Sequence, residues 1–281
     1  MNKQDLVSII IPTKNSSEFL ENCLKSIKQQ TYKNIEVIVV DGKSTDKTLS
    51  LAKKYKCKIY QLVPKVRKGT FDAPYKRNYG VKKSRGEYVY YVDADMELPP
   101  KLIQEAVTLC SKKYDALIIP EDSFGIGIWA SAKNLERRCY WGDNLIESPR
   151  FFRKKVWQKV GGLDESLAGG RDDGDLYEKL KENNNPVSRT KQIVLHNEGK
   201  LTVAKLFKKK YMYGKDVLKY VSKRPVVGVA SYSPIRISYL RNWKLFVRRP
   251  ADSLFFFIMK IIEISGGITG LVYSLAHKNN E

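Results

Sequence analysis

The stretch Glu87–Pro100, EYVYYVDADMELPP, decides how this chain folds. Tyr88 to Val92 is an unbroken aromatic and β-branched run, the kind buried on both faces of a parallel sheet. It ends in two carboxylates one residue apart, Asp93 and Asp95, with Glu97 following. Carboxylates at the end of a buried strand are costly unless a cation or hydrogen-bond donors meet them. Where the chain turns past the strand, both can face a crevice. Pro99 and Pro100 are expected to open the next helix, since proline is tolerated in a first turn.

The same grammar extends outward. LVSIII (6–11) reads as a buried strand stopped by Pro12. Asn15 and Glu18 resemble a capping box, and Phe19, Leu20, Cys23, Leu24 and Ile27 form one apolar helical stripe. IEVIVV (35–40) is a second strand, ending at Asp41-Gly42, and the helix after it has Ser44 or Thr45 as its expected cap. KIYQLV is a third strand, a helix carries Lys76, Arg77 and Asn78, and ALII (116–119) is a further strand. Alternating strands and helices predict an α/β fold, Rossmann-like, with a mainly parallel sheet flanked by helices. Ligands of such sheets sit beyond the carboxyl ends of the strands. Three ends here are polar: Thr13 with Asn15, Asp41 with Ser44 and Asp46, and Asp93 with Asp95. One ligand touching all three explains them economically. A GxGxxG turn and a GxxxxGK[ST] loop are both missing from the sequence, which excludes those two modes of holding phosphates.

The 281 residues suit one large domain or one domain with an extension, here an α/β domain over 1–200 and a basic, amphipathic helical region over 201–281. Cys23, Cys57, Cys110 and Cys139 show no zinc spacing, and with no signal peptide ahead of them they read as reduced thiols of a cytoplasmic protein. The net charge is +21, and Gly199 to Pro250 holds fourteen Lys or Arg against one acid, Asp216. Such a surface seeks polyanions. A nucleic-acid-binding protein is the reading from charge alone, but no recognised DNA- or RNA-binding motif accompanies it, so no specific nucleic acid is expected.

Three stretches in order, VSIIIPTKNSSEFLENCLKSIKQQTYKNIEVIVVDGKSTDKT, KRNYGVKKSRGEYVYYVDADMELPP and GGLDESLAGGRDDGDLYEKL, resemble the family 2 glycosyltransferases of the GT-A fold. The resemblance covers most of residues 5–200 and loosens beyond. It implies a nucleotide-diphosphate sugar as donor, UDP favoured over GDP, and an inverting hexosyl transfer to an acceptor hydroxyl or phosphate. By position it places Pro12, Thr13 and Asp41 at the nucleotide base, with Asn15 and Ser44 beside them. Arg77 and Asn78 lie near the nucleotide, Asp93 and Ala94 on the ribose side, and Asp95 on the metal.

Hard oxygen ligands suit Mn2+ or Mg2+, and a cation there stabilises the charge on a departing diphosphate. Lys68 and Lys76 read as surface bases, while Arg77 stays open between surface and site. In RDDGDLYEKL, Asp172 reads as a helix cap or an acceptor contact. The family pattern makes Asp173 the general base, although the family has Glu where Asp172 stands. His196 either packs in the core or, as the resemblance implies, completes the metal site. Trp129 and Glu147 are acceptor candidates, with core packing the alternative for Trp129 and Trp141. His277 is assigned no role.

LFKKKYMYGKDVLKYVSKRP mixes lysine with apolar residues at helical spacing, as helices on membrane surfaces do. Leu254 to Ala276 is long enough to span a bilayer, but Lys260, Glu263 and Gly266-Gly267 interrupt it. An interfacial or re-entrant helical pair ranks above a span or a soluble hairpin packed on the domain. An anionic membrane surface and a polyprenyl-phosphate or lipid-linked glycan acceptor follow as expectations, with the protein peripheral to the inner face of the cell membrane. The alternative is a soluble or polymeric glycan acceptor, with the tail used for oligomerisation.

Overall fold

The computed structural model describes residues 4–63, 71–167, 170–234 and 236–277; Lys68 and Gly169 lie outside them. The strands are β1 (Val7–Thr13), β2 (Ile35–Asp41), β3 (Lys58–Gln61), β4 (Tyr88–Tyr91), β5 (Met96–Glu97), β6 (Ala116–Ile118), β7 (Glu121–Ile126), β8 (Pro149–Arg153), β9 (Val187–Arg189) and β10 (Val194–Lys200). Seven form one sheet in the order β3-β2-β1-β4-β8-β6-β9, and the other three form a small sheet, β5-β10-β7. In the large sheet β3, β2, β1 and β4 run parallel, β8 is antiparallel to both β4 and β6, and β6 is parallel to β9. The expected mainly parallel sheet is present.

Flanking it are α1 (Ser17–Lys28), α2 (Thr48–Lys54), α3 (Ala73–Lys83), α4 (Leu102–Lys112), α6 (Lys154–Lys159) and α7 (Asp172–Glu182), while α5 (Ile128–Cys139) packs on β7 of the small sheet. Strand side chains alternate between two cores. Ile9, Ile11, Tyr90 and Val92 pack with Leu20, Cys23 and Leu24 of α1 and Ile103 of α4. Ile10, Val89 and Tyr91 pack with Val81 of α3, Trp157 of α6 and Leu176 and Leu180 of α7. Burying each such side chain contributes roughly 1.5–3 kcal/mol.

Several boundaries differ from the sequence reading, each for a local reason. Pro12 does not stop β1. The carbonyl of Ile10 accepts from Val92 on the β4 side, so Pro12, two residues on, aims its missing N–H at the same side, where β4 has ended at Tyr91. No capping box forms: Asn15 has φ +50, and its Oδ1 accepts from the Thr45 amide at 2.8 Å. Ser44 and Thr45 do not cap α2; Asp46 accepts from the amides of Ser17 and Thr48, serving the first turns of α1 and α2 together. Pro99 and Pro100 precede α4 rather than opening it, and the Pro99 carbonyl accepts from the Leu102 amide.

The chain continues through α8 (Val203–Gly214), α9 (Val217–Lys223), α10 (Pro225–Tyr232), α11 (Ile237–Arg241), α12 (Trp243–Arg248) and α13 (Pro250–Ala276). The expected break at Gly266-Gly267 is absent, and α13 is one helix of 27 residues. Its glycines serve contact instead. A Cβ at Gly266 would sit 2.5 Å from the Phe207 carbonyl, and one at Gly270 2.0 Å from that of Tyr211, so α8 and α13 meet backbone to backbone. Phe256 and Met259 of α13 pack on Ala132 and Leu135 of α5 and Leu206 of α8. Beside them, Lys133, Glu136, Lys260 and Glu263 form a buried ion cluster, with Lys260 Nζ 2.6 Å from Glu136 and Lys133 Nζ 3.2 Å from Glu263. Lys260 and Glu263 are therefore accounted for by partners on α5. By length and composition α13 could cross a membrane, though 28% of its most apolar window is buried against the rest of the chain.

Candidate active site

Two polar assemblies occupy the carboxyl ends of the parallel strands. The first is built by β1 and β2. Thr13 Oγ1 donates to Asp41 Oδ1 at 2.9 Å, and the Ser44 amide and hydroxyl donate to Asp41 at 2.8 and 2.5 Å. The Asn15 amide donates to Ser44 Oγ at 2.8 Å. Thr13, Asn15, Asp41 and Ser44 thus converge as their positions suggested, with Pro12 half-buried in β1 beside them. Asp41 is fully buried. Lys76 is not a surface base: it is 1% exposed, and its Nζ donates to the Thr13 carbonyl at 2.9 Å and pairs with Asp72 at 2.7 Å.

The second assembly surrounds the acids after β4. Arg77 Nη2 lies 2.6 Å from Asp93 Oδ1, and Arg150 Nη1 lies 3.0 Å from Asp93 Oδ2. Burial opposes the charge of Asp93, but the two guanidiniums hold its carboxyl well below the usual range. Arg77 is buried and stacks over the Tyr91 ring at 4.6 Å, so it is not a surface base. Ala94 is buried in the core.

Asp95 is turned the other way by the small sheet. β5 pairs with β10 so that Met96 faces His196, and the Asn197 amide donates to the Asp95 carbonyl at 2.8 Å. This brings Asp95 Oδ2 to 3.2 Å from His196 Nε2. On its far side, His196 Nδ1 lies 3.2 Å from Glu121 Oε2. Glu121 in turn pairs with Arg137 and, at 2.9 Å, with Arg150. Asp93, Arg150, Glu121, His196 and Asp95 thus form a chain of alternating charge. Burial works against a charged His196, yet Asp95 and Glu121 lift its pKa to about 9.

The residues fit a divalent cation. Asp95 Oδ1 is buried without a hydrogen-bond partner. The Glu121 carboxylate orients His196 through Nδ1 and leaves Nε2 toward Asp95, as outer carboxylates do for metal-bound histidines. Among the described residues no three His, Cys, Asp or Glu side chains gather into a metal cage. Two protein ligands suit an ion that keeps waters and bridges to phosphates.

Asp172 and Asp173 begin α7, whose N-terminus favours carboxylates. They divide their tasks. Asp172 is buried, 3.4 Å from Arg77 Nη1; burial pushes its carboxyl up to about 6 against the pull of Arg77. The N-cap position belongs to Arg171 rather than to Asp172, which is the first residue of α7. Asp173 is less buried and lines a cavity of about 340 Å3 together with Arg77, Asp93, Arg150 and His196.

Other expected site residues lie elsewhere. Asn78 Nδ2 donates to the Leu163 carbonyl at 2.9 Å and its Oδ1 accepts from the Leu163 amide, so it pins the loop leading to α7. Trp129 packs edge-on against Phe255, ring centroids 6.0 Å apart. Trp141 Nε1 donates to the Glu121 carbonyl at 2.8 Å. Glu147 borders a smaller recess beside Asp173 and Arg150, and accepts from Arg189 at 2.6 Å. The sequence reading missed Glu121, Arg137 and Arg150, together with Lys209, Lys210, Tyr213, Tyr232 and Arg236, which the C-terminal helices bring to the cavity.

A mainly parallel sheet with an antiparallel insertion, a small second sheet and acids at the strand ends define a GT-A glycosyltransferase fold. The chain belongs to glycosyl transferase family 2, whose family model matches residues 8–164. It is similar to the uncharacterized glycosyltransferase YibD of Escherichia coli, 32% identical over 109 residues that cover 39% of this chain and 31% of YibD. It also resembles the poly(ribitol-phosphate) β-N-acetylglucosaminyltransferase TarS of Staphylococcus aureus, 31% identical over 115 residues, 40% of this chain and 20% of TarS. The chain therefore spans about a third or less of the length of these curated relatives. Among solved structures, the mannosyltransferase PcManGT of Pyrobaculum calidifontis, in complex with GDP-Man and Mn2+, superposes with a TM-score of 0.67 at 16% identity, covering 98% of this chain and 88% of that one.

Proposed function

We propose that the chain is an inverting glycosyltransferase that moves a sugar from a nucleotide-diphosphate sugar, UDP favoured, to an acceptor hydroxyl or phosphate. Asp95 and His196 hold a divalent cation, Mn2+ or Mg2+, on the donor diphosphate. The observation that carries this reading is the meeting of the Asp95–His196 pair, the Asp93 clamp and Asp173 around the carboxyl ends of the strands. PcManGT with GDP-Man and Mn2+ supports a nucleotide-sugar donor and a cation, and the TarS structure in complex with UDP-GlcNAc supports the UDP class.

When bound, the cation neutralises charge building on the leaving diphosphate. Arg77 and Arg150, fixed by Asp93, hold the donor side in register. Asp173 takes the proton from the acceptor hydroxyl as its oxygen attacks the anomeric carbon. The bond from that carbon to the diphosphate breaks, and its electron pair leaves with the diphosphate. Attack opposite the leaving group inverts the centre. Asp172, tied to Arg77, positions that guanidinium rather than serving as base.

The acceptor in this reading is lipid-linked, a polyprenyl-phosphate or lipid-linked glycan, met by a protein peripheral to the cytoplasmic face of the membrane. Leu254, Phe257, Ile261, Ile268 and Val272 of α13 are exposed apolar residues, and Gly199 to Pro250 carries dense positive charge, a pairing suited to an anionic interface. Asp173→Asn tests the central step. Transfer is expected to fall by roughly 10²–10⁴-fold, while UDP with Mn2+ still raises the melting temperature. Unchanged turnover would remove Asp173 as base.

A further inference from the structure

The cavity that holds Asp173 shares a wall with a second pocket. This pocket has a volume of about 330 Å3, within the roughly 300–1,000 Å3 typical of small-molecule sites. Lys210, Tyr213, Tyr232 and Arg236 line both. Beyond them the outer lining is apolar, with Val217, Pro234, Ile264, Ile268 and Leu271, while Ser233, Lys260 and Glu263 also border the pocket. Ile264 and Ile268 are 39% and 57% exposed, so the outer rim is continuous with the apolar face of α13. The pocket therefore runs from that face to the shared side chains that border the cavity of Asp173.

Charge at the junction is unbalanced. Lys260 is neutralised by Glu136 and Glu263, and Lys210 lies 3.7 Å from Glu263. Arg236 pairs with no carboxylate among the described residues; it lies over the Tyr140 ring at 5.4 Å and donates to the Ser231 carbonyl at 2.9 Å. A pocket that is apolar at its outer end and cationic at its inner end complements an amphiphile with an anionic head.

We propose that this pocket takes the hydrocarbon chain of a lipid-phosphate acceptor, its phosphate at Arg236 and Lys210 and its sugar or polyol head reaching Asp173. The proposal rests on the transferase reading and gives its acceptor a place. The phosphate is the anchor, and a hydroxyl carried beyond it is the group that Asp173 deprotonates. Tyr213 and Tyr232 stand at the neck between chain and head.

Gly267 supplies the test. It lines the pocket, and a Cβ there would meet no atom within 4 Å, so Gly267→Leu fills the space without moving α13. Farnesyl phosphate, farnesol and inorganic phosphate are titrated into the full chain by calorimetry. Farnesyl phosphate is expected to bind more than tenfold tighter than either fragment. Each displaced methylene weakens binding about fourfold, so Gly267→Leu is expected to lose more than tenfold while its thermal unfolding stays near that of the parent. Arg236→Gln is expected to bring farnesyl phosphate down to the affinity of farnesol. Equal affinities for farnesol and farnesyl phosphate, or undiminished binding in a folded Gly267→Leu, would overturn the proposal. UDP with Mn2+ is titrated into the parent in parallel. Its failure to bind would remove the transferase reading, whereas its binding without farnesyl phosphate binding would remove the lipid pocket alone.

Discussion

Glu36, buried in β2, and Asp93, half-buried just past β4, are each held charged by what surrounds them. Burial works against the charge of Glu36, but the Lys58 ammonium, the Ser8 hydroxyl and the Arg85 amide outweigh it and hold the carboxyl at about 2. A depressed carboxyl contributes stability that is present above the ordinary value near 4.5 and lost as pH falls toward 2. The contribution is roughly 3 kcal/mol at most. Glu36→Gln is therefore expected to lower the urea midpoint at pH 7 and to approach the parent by pH 3; a pH-independent difference would contradict this. Much of the site was legible at this scale where its contacts are local in pattern. Thr13, Asn15, Asp41 and Ser44 follow two adjacent parallel strands, so their positions in sequence already imply a meeting. Arg150 reaches Asp93 across 57 residues, through a strand order that no local pattern encodes. Lys76 misled for a related reason: a lysine gives no sign in sequence that a carbonyl and Asp72 await it in the interior.

At the scale of elements, β8 and α13 carried the surprises. PRFFR is short, with arginines on either side of its two phenylalanines, and its place between β4 and β6 is fixed by Phe151 and Phe152 packing into opposite cores. Strand rhythm alone predicts the parallel neighbours but not an antiparallel insertion. In α13, Gly266-Gly267 looked like a break because glycine lowers helix propensity, yet close approach of α8 outweighs that cost. Gly270→Ala is expected to destabilise by about 1–3 kcal/mol through overpacking against the Tyr211 carbonyl. Gly267→Ala meets open space and is expected to stabilise by about 0.5–1 kcal/mol. Chemical denaturation of the two variants decides it, and equal effects would contradict the backbone-to-backbone packing.

For the whole molecule, the alternation of strands and helices was enough to foresee the layered sheet and the side on which its ligands gather. What the C-terminal helices do was not foreseeable from charge and hydropathy, because those describe their outer faces. Their inner faces close the cavity with Tyr213, Tyr232 and Arg236 and lock onto α5 through the Lys133–Glu136–Lys260–Glu263 cluster. The outer faces lead to a separate expectation. The chain should sediment with phosphatidylglycerol vesicles and release in high salt, since screening shortens the reach of surface charge; indifference to such vesicles would count against a membrane-side acceptor. The most direct measurement concerns Asp95. UDP is titrated calorimetrically into the parent chain and into Asp95→Ala, each with and without Mn2+. Tight binding that requires Mn2+ in the parent, and weak binding that Mn2+ no longer improves in Asp95→Ala, is the expected result; equal, Mn2+-independent affinity in both would contradict a cation held between Asp95 and the donor diphosphate.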